Sequence, residues 1–394
     1  MILISVVLAS ISVAFSAQIR AESVGEWKAT ASFPTTIAAE SCVAYSGHVF
    51  CVAGRNSSDY TNAVYYAALS PAGVSSWNRT TDYPTWGVPS CVVSSNYIYC
   101  VGGHGISNDT KPVYYASLSS KGVSAWNSTT SYPAYVIDRS CVTESGYMYC
   151  VGGDLEGIGY TQRVYYARLS SGVSSWNSTA AYRIPIAYEK CVASSGYIYC
   201  VGGFTGLDTT DRVYFARLSP SGIMSWNGTE KYPIAVAWNS CVASSEQIYC
   251  IAGVNNTSVF NNVYYASLSP TGVSSWTKST SYPLGMFDNS CVASSGYIYC
   301  IGGGTDQVYY AQIVPTPITI TGTSVSVSTT TAYLTQTSTT TATQTAIQTA
   351  TQTLIQTATA DASIAGVAGV LVGLALGASA AFLVLRKKKP VSHT

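Results

Sequence analysis

CVASSGYIYC occupies residues 191–200 and returns unchanged at 291–300. Near-copies stand at 42–51, 91–100, 141–150 and 241–250, so six decapeptides each carry two cysteines nine positions apart. The first cysteines of the six are separated by 49, 50, 50, 50 and 50 residues. A fixed period near 50 indicates a repeat architecture in which each repeat is one supersecondary unit.

Each repeat contains four strand-like segments in the same order, here called A to D. Their sequences resemble SCVAS (240–244), YIYCVGG (197–203), VYYARLS (164–170) and SSWNST (174–179). They are rich in β-branched and aromatic residues, and turn signals separate them. Four short strands in about 50 residues, repeated six times, predict an all-β fold: a six-bladed β-propeller rather than a sandwich.

The decapeptide itself predicts a hairpin of strands A and B. If Cys191 opposes Cys200, only Ser195-Gly196 remains for the loop, and two-residue loops with glycine are common. The cysteines then form a non-hydrogen-bonded pair whose Cα atoms lie about 4.5 Å apart, within reach of a disulfide. The alternative, a metal site, needs closer spacing and two converging pairs. We therefore predict no metal and six disulfides within repeats: Cys42-Cys51, Cys91-Cys100, Cys141-Cys150, Cys191-Cys200, Cys241-Cys250 and Cys291-Cys300.

The two ends of the repeat array complement each other. The sixth repeat stops after VYYAQIV (308–314) without a tryptophan strand, whereas Glu26-Trp27-Lys28 stands alone before the first repeat. We predict that residues 26–32 form the outer strand of the sixth blade. This N-terminal strand would close the ring and remove an open sheet edge.

The repeats resemble kelch repeats, in which a hydrophobic strand ends in Gly-Gly and is followed by an aromatic residue and a tryptophan. The matching residues are Gly102-Gly103, Tyr115 and Trp126; Gly152-Gly153, Tyr166 and Trp176; and Gly202-Gly203, Phe215 and Trp226, with Ala53-Gly54, Ala252-Gly253, Trp77 and Trp276 in repeats one and five. The resemblance covers residues 25–314 and implies a kelch-like propeller. The paired cysteines, and an alanine where kelch repeats usually have aspartate after the tyrosine, argue against a close relation to intracellular kelch adaptors.

The remaining segments predict a cell-surface protein. Residues 1–17 form a short apolar run typical of a secretory signal peptide. Residues 362–385 are long and apolar enough for a transmembrane helix, and the basic tail 386–394 places the C-terminus in the cytoplasm. Residues 315–361, rich in Thr, Ser and Gln, predict a stalk, either carrying O-linked sugar or a bare flexible linker.

Composition limits the classes of partner. Only 9% of the residues are charged and the net charge is +1, so nothing suggests a nucleic-acid binder. Glycine spacing in the predicted span allows a helix-mediated dimer through Gly369, Gly373 and Gly377, although Ala- and Gly-rich membrane anchors are also common without one. Sequons for N-glycosylation, which would add solubility, stand at Asn56, Asn78, Asn108, Asn127, Asn177, Asn227, Asn255 and Asn256.

Comparison of the six copies separates a constant end of the ring from a variable one. The A–B turns are nearly identical, whereas the B–C loops and the D–A segments differ freely. Because strands alternate in direction, these loops and segments share one end of the ring, here called the variable face. Loops on a rigid scaffold often carry function. The candidate ligand-face residues are Trp86, Tyr135, Asp138, Arg139, Tyr188, Glu189, Asp208, Asp211, Arg212, Trp238, Phe287 and Asp288.

These residues have a plainer alternative role, in which the aromatic side chains are wedges packed between blades and the charged ones are solvated. The function that we predict is non-catalytic adhesion or recognition of cell-surface glycans or envelope proteins, without a cofactor. Two alternatives remain: a structural component of the cell envelope without a ligand, or an extracellular carbohydrate-active enzyme using carboxylates such as Asp138, Glu189 and Asp288.

Overall fold

The computed structural model of the chain describes residues 22–103, 111–155 and 158–315, and the backbone of two further strands at 319–325 and 351–357. Residues Ala21–Val314 form one compact unit. Its strands, in chain order, are β1 (Glu22–Val24), β2 (Lys28–Ala29), β3 (Ser41–Tyr45), β4 (His48–Arg55), β5 (Tyr60–Ser70), β6 (Gly73–Val74), β7 (Asn78–Arg79), β8 (Ser90–Ser94), β9 (Tyr97–Val101), β10 (Val113–Ser119), β11 (Gly122–Val123), β12 (Asn127–Ser128), β13 (Ser140–Glu144), β14 (Tyr147–Val151), β15 (Val164–Ser170), β16 (Gly172–Ser178), β17 (Lys190–Ser194), β18 (Tyr197–Val201), β19 (Val213–Arg217), β20 (Asn227–Gly228), β21 (Ser240–Ser244), β22 (Gln247–Val254), β23 (Val259–Ser269), β24 (Gly272–Val273), β25 (Thr277–Lys278), β26 (Asn289–Ser294), β27 (Tyr297–Gly302) and β28 (Val308–Pro315).

The described strands of this unit form six antiparallel sheets, one for each repeat. The A strands, which begin the blades, are β3, β8, β13, β17, β21 and β26. Each A strand contacts the A strand of the next blade, and β26 contacts β3. The sheets therefore stand side by side in a closed ring, and the predicted six-bladed β-propeller is confirmed.

The A–B hairpins have the predicted register. In the fourth blade Cys191 lies opposite Cys200, and the loop residues Ser195 and Gly196 have φ of 50° and 80°. Two residues with positive φ make a type I′ turn, whose twist matches that of the strands. All six predicted disulfides are present, with Cα atoms 4.0 to 4.1 Å apart. The second cysteine of each pair is at most 1% exposed, so solvent does not reach it.

The N-terminal segment closes the sixth blade. Strands β1 and β2 both pair with β28, so the C-terminal repeat receives its outer strand from the start of the ring. The pairing begins at Glu22 rather than at residue 26, because Val24 is buried where the fifth and sixth blades meet. The outer strand is thus longer than predicted and is interrupted between Val24 and Lys28.

The apolar core lies between blades rather than within them. Strand side chains alternate between the two faces of a sheet, so the cysteines face the preceding blade and the valine and tyrosine beside them face the next. One buried cluster, for example, joins Val43 and Phe50 of the first blade to Cys91 and Ile98 of the second. Another joins the sixth blade to the first. Each blade therefore needs both neighbours to bury its side chains.

Aromatic pairs repeat at the outer edge of every seam. A tryptophan of each outer strand packs edge-to-face on an aromatic ring of the preceding D–A segment, with centroids 4.8 to 5.1 Å apart. Such pairs contribute roughly 0.5–1.5 kcal/mol beyond their burial. The pairs are Trp27–Tyr282, Phe33–Trp77, Tyr83–Trp126, Tyr132–Trp176, Tyr182–Trp226 and Tyr232–Trp276.

A hydroxyl also joins each outer strand to the next one around the ring. Thr80 Oγ1 accepts a hydrogen bond from the Val123 N–H at 2.9 Å and donates to the Val123 carbonyl at 3.3 Å. Equivalent bonds run from Thr30, Thr129, Thr179, Thr229 and Ser279 to the next blade. We call these six hydroxyls the seam hydroxyls.

The segments beyond the ring are described only in part. The backbone of β29 (Thr319–Val325) pairs antiparallel with β30 (Thr351–Thr357), within the region predicted as a stalk. Both strands are rich in threonine, a β-branched residue suited to a strand. No helix in the described part of the chain could span a membrane. The predicted signal peptide, transmembrane helix, basic tail and glycine seam lie outside the described residues.

Candidate functional site

The variable face is formed as the strand directions predict. Short backbone bridges join five of the six D–A segments to the end of a B strand or to a B–C loop, as between Ala38 and Arg55, Ala187 and Phe204, and Ala237 and Val254. The B–C loops and D–A segments therefore make one continuous surface at the end of the ring opposite the A–B turns.

A collar of backbone hydrogen bonds surrounds the central opening on this face. It consists of the residues three positions before the first cysteine: Ala39, Asp138, Tyr188, Trp238 and Asp288. Their φ angles lie between 53° and 60°. The N–H groups of Tyr188, Trp238, Asp288 and Ala39 bond in succession to the carbonyl of the preceding collar residue, beginning with Asp138, at 2.9 to 3.2 Å. Non-glycine residues with such φ store strain and are concentrated at functional sites.

A cavity of about 120 Å³ lies at the centre of this collar. Six charged side chains line it: Glu40, Asp138, Arg139, Glu189, Lys190 and Asp288. Asn239 and Asn289 line it as well. A second space, of about 320 Å³, follows along the A strands and is lined mostly by valine and alanine. The charged groups are therefore gathered at one end of the central channel.

Two carboxylates of the cavity are deeply buried. Glu40 is 5% and Glu189 4% exposed, and only backbone N–H groups interact favourably with their carboxyls at close range: those of Glu40 and Ser290 with Glu40, and that of Glu189 with Glu189. Burial raises the pKa of both carboxyls well above the usual range, and the charges of Asp288 and Asp138 add to this effect. Burial, followed by the charge of Asp138, raises the pKa of Asp288 to about 7.

The two cations of the cavity occupy different environments. Arg139 lies between blades, 4.9 Å from the centre of the Tyr132 ring, and donates a hydrogen bond to the Val136 carbonyl. Lys190 stands where the other five blades have a serine whose hydroxyl accepts the N–H of the next blade's first cysteine. Burial lowers the pKa of both side chains.

Aromatic side chains form two groups on the variable face. Tyr188 and Trp238 line the cavity and stack on each other with centroids 4.0 Å apart. The predicted Trp86, Tyr135 and Phe287 are not part of the described cavity lining. These three side chains are 46%, 53% and 40% exposed. They do not belong to the tryptophan–aromatic pairs that pack at the outer edge of each seam.

Three predicted charges do not reach the cavity, because loop contacts hold them elsewhere. Asp208 accepts a hydrogen bond from Asn256 at 2.6 Å, and Arg212 donates to the Tyr214 hydroxyl at 3.2 Å. Asp211 pairs with Lys231 at 3.1 Å. Asp208, Asp211 and Arg212 therefore lie outside the cavity lining, and their role on the ligand face stays a prediction.

In the four sequons that follow the tryptophan of an outer strand, the threonine also has a structural role. Asn78, Asn127, Asn177 and Asn227 are exposed, as a glycosylation site requires. Their threonines two positions later are four of the seam hydroxyls, which also exist at Thr30 and Ser279, where no sequon stands. Asn108 lies outside the described residues.

The sequence reasoning missed Glu40, Lys190, Asn239 and Asn289. A signal for Lys190 was present, because the residue before the first cysteine is serine in five copies and lysine in one. The other three occupy the position before it, where the six copies carry Glu, Pro, Arg, Glu, Asn and Asn. Among the described residues, no group of three or more His, Cys, Asp or Glu side chains could hold a metal ion.

Comparisons with known proteins identify the fold. No protein-family model and no curated protein matches this chain. The chain is similar to a solved structure described as "Structure of YjhT", with a TM-score of 0.57, over 70% of this chain and 94% of that chain. The two sequences are 14% identical, so the likeness extends to the fold alone.

Proposed function

We propose that this chain is a cell-surface propeller with kelch-like repeats that recognises glycans on its variable face without transforming them. One observation carries the proposal. Of the eight large apolar side chains exposed on the described ring, seven lie on the variable face, and only Met224 does not. Exposed apolar side chains concentrated at one end of the ring favour a contact site there.

The chemistry of the surface favours glycans over envelope proteins. A sugar ring offers an apolar face to an aromatic side chain and hydroxyl groups to polar ones. Trp86, Tyr135 and Phe287 supply aromatic faces, and the central cavity supplies carboxyl and amide oxygens. A concave site of a few polar groups beside aromatic rings is typical of small-ligand recognition.

The proposed setting follows from the terminal segments. We infer that residues 1–17 direct secretion and that residues 362–385 anchor the chain, leaving the ring outside the cell and the basic tail inside. Sugar on the rim sequons would supply the solubility that sparse charge does not. The alternatives are a structural envelope component, and an enzyme in which Asp138 and Asp288, which line one cavity, act on the sugar.

A glycan array probed with the full-length chain in detergent tests the proposal. Trp86→Ala and Tyr135→Ala should each weaken binding by roughly tenfold or more, because aromatic anchors dominate recognition sites. Met224→Ala is the matched control, since Met224 is 93% exposed away from the variable face. If no glycan binds the folded chain, the structural alternative holds. If a bound glycan is cleaved or rearranged, the enzyme alternative replaces ours.

A further inference from the structure

Lys190 interrupts a ring of serines around the central channel. In five blades the residue before the first cysteine is a serine whose hydroxyl accepts a hydrogen bond from the first cysteine of the next blade, as Ser140 does from the Cys191 N–H at 2.9 Å. An ammonium group cannot accept a hydrogen bond, so Lys190 leaves the equivalent N–H, that of Cys241, without this contact. Positions that break a local rule at a cost are expected mostly at functional sites. Lys190 is therefore a candidate for a role that a serine cannot perform.

The ammonium group of Lys190 lacks a counter-ion. Its side chain is half-buried and lines the central cavity. Within the described part of the ring, no carboxylate forms an ion pair with it and no acceptor receives its N–H groups. Burial accordingly lowers the pKa of Lys190. Charges withdrawn from water in folded proteins are paired, so this ammonium group needs an anion.

The carboxyl groups that act on Lys190 do not compensate its charge. They are those of Glu189 and Glu40. Glu40 lies against Gly302 in the seam between the sixth and first blades, and Glu189 lies against Gly152 in the seam between the third and fourth. Burial raises the pKa of both carboxyls well above the usual range, so each seam favours the neutral form. A neutral carboxyl offers no negative charge to an ammonium group.

The remaining charged groups of the cavity have other partners. Asp138 interacts with the phenol of Tyr188, and the charges that act on Asp288 are those of Asp138 and Arg55. Arg139 lies between the blades and donates a hydrogen bond to a backbone carbonyl there. Lys190 is thus the cation of the described lining that remains available to a ligand.

Hydroxyl donors accompany Lys190 in the cavity. Four serines of the interrupted ring line it: Ser41, Ser90, Ser140 and Ser290. Each oxygen accepts a cysteine N–H, and each hydroxyl still has a proton to donate. Ser140 belongs to the third blade, next to the fourth blade of Lys190. An ammonium group and a hydroxyl donor on neighbouring blades suit a ligand oxygen that carries negative charge.

We propose that Lys190 binds a negatively charged oxygen of the ligand, as in a carboxylate or a sulfate group, so that the recognised glycan is an acidic one. This inference rests on the proposed glycan recognition and specifies its central contact. Lys190 and the hydroxyl of Ser140 donate hydrogen bonds to the anionic group. Tyr188 and Trp238, which line the same cavity, offer an aromatic surface to the sugar ring that carries it.

The inference predicts that the affinity for an acidic glycan falls as the pH rises. The charged and titratable groups around Lys190 are Glu40 and Glu189 in their seams and, along the cavity, Asp138, Arg139 and Asp288. The pKa of Asp288 is raised to about 7, so above that pH the cavity gains a negative charge. The lowered pKa of Lys190 makes its positive charge easier to lose in the same direction. Both changes oppose an anion and leave a neutral glycan unaffected.

The experiment compares ligands that differ in charge. A galacturonic acid tetramer is measured against its methyl ester, and a galactose tetramer carrying sulfate esters is measured against the unsulfated one. Calorimetry with the full-length chain is done in detergent at low salt, below the pKa of Asp288. The charged member of at least one pair should bind roughly tenfold or more tightly, because hydrogen bonds to charged groups are the strong ones. The pair that shows the preference tells a carboxylate ligand from a sulfate ligand.

The repeat itself supplies the decisive variant. Lys190→Ser restores the sixfold serine pattern and an acceptor for the Cys241 N–H, so it should unfold at a temperature no lower than that of the native chain. It should lose the preference for the charged ligand, whereas Lys190→Arg should keep it. Lys121→Ser, in an exposed C–D turn at the opposite end of the ring, is the matched control and should change nothing.

The outcomes separate the two proposals. If neither charged ligand binds more tightly than its neutral counterpart, the anion inference is wrong while glycan recognition stands. The same holds if the preference persists in Lys190→Ser or is lost equally in Lys121→Ser. If neither these ligands nor any glycan on the array binds, the proposed function itself fails, and the anion inference with it.

Discussion

Replacing Thr80 by valine removes a hydroxyl that joins the first blade to the second, while the size of the side chain hardly changes. In the native ring Thr80 Oγ1 accepts the Val123 N–H at 2.9 Å. The Val123 carbonyl keeps a second donor, Thr81 Oγ1, also at 2.9 Å. The substitution therefore leaves one backbone N–H without a partner in a half-buried seam.

The cost of that unpaired donor can be given to within a factor of three. A buried donor left unsatisfied destabilises the folded state by roughly 1–3 kcal/mol. In a domain of this size such a loss lowers Tm by roughly 2–6 °C. Calorimetry on protein made in a host without N-glycosylation measures this effect free of any contribution from sugar.

Two matched variants separate the seam from the sequon. Asn78→Gln destroys the same sequon but keeps Thr80, and as a surface change it should stay within about 0.5 kcal/mol of the native protein. Thr80→Ser keeps both the hydroxyl and the sequon. If Thr80→Val unfolds at the same temperature as Asn78→Gln, the hydroxyl does not hold the seam and the reasoning is refuted.

Three further changes test other parts of the structure. Gly202→Ala should destabilise the ring by more than Gly196→Ala. A Cβ added at Gly202 would lie 2.3 Å from a carbonyl oxygen of the D–A segment, whereas one added at Gly196 meets nothing within 4 Å. Chemical denaturation measures both losses of stability, and equal losses would show that positive φ alone matters. Replacing Cys191 and Cys200 together by alanine should lower the free energy of unfolding by about 2 kcal/mol, and a denaturation midpoint equal to that of the native chain would contradict the stapling role. Raising the pH should lower Tm as Asp288 ionises: its pKa is raised to about 7 in the fold, so the stability that its proton adds is complete below its ordinary pKa and is lost as the pH passes about 7. Asp288→Asn should flatten that part of the profile, and an unchanged profile would argue that Asp288 is solvated.

The ring could be predicted because its determinants are local. The register of each hairpin is determined within ten residues. It follows from the two cysteines nine positions apart, the two-residue turn between them and the alternation of side chains along each strand. The orphan tryptophan segment before the first repeat predicted how the sixth blade is completed, since one missing strand matched one surplus strand. Only the starting residue of that strand was wrong, because the burial of Val24 depends on a blade almost 300 residues away.

From the sequence, the candidate site could be assigned only to one face of the ring and not to individual residues. Asp138, Glu189 and Asp288 do line one cavity, as their similar positions, two or three residues before the first cysteine of three repeats, indicated. Trp86 and Asp208 do not, because the direction of a side chain in a loop depends on contacts that strand periodicity does not specify. Such positions need the three-dimensional arrangement of neighbouring blades.

Departures from sixfold repetition locate the site more sharply than the variable loops do. In five blades a serine before the first cysteine accepts a hydrogen bond from a cysteine N–H of the next blade and so stabilises the ring. In the fourth blade the same position is Lys190, which cannot accept this bond. Glu40 and Glu189 lie on the first and fourth of six blades, across the axis from each other, where an apolar or amide side chain would fit a seam at lower cost. A buried carboxylate without a partner destabilises a fold. The carboxyl of Glu40 lies against Gly302 of the sixth blade and that of Glu189 against Gly152 of the third, so each occupies a seam of its own. Burial raises the pKa of both carboxyls, and each seam therefore holds the neutral, protonated form, which costs the fold less than a buried charge.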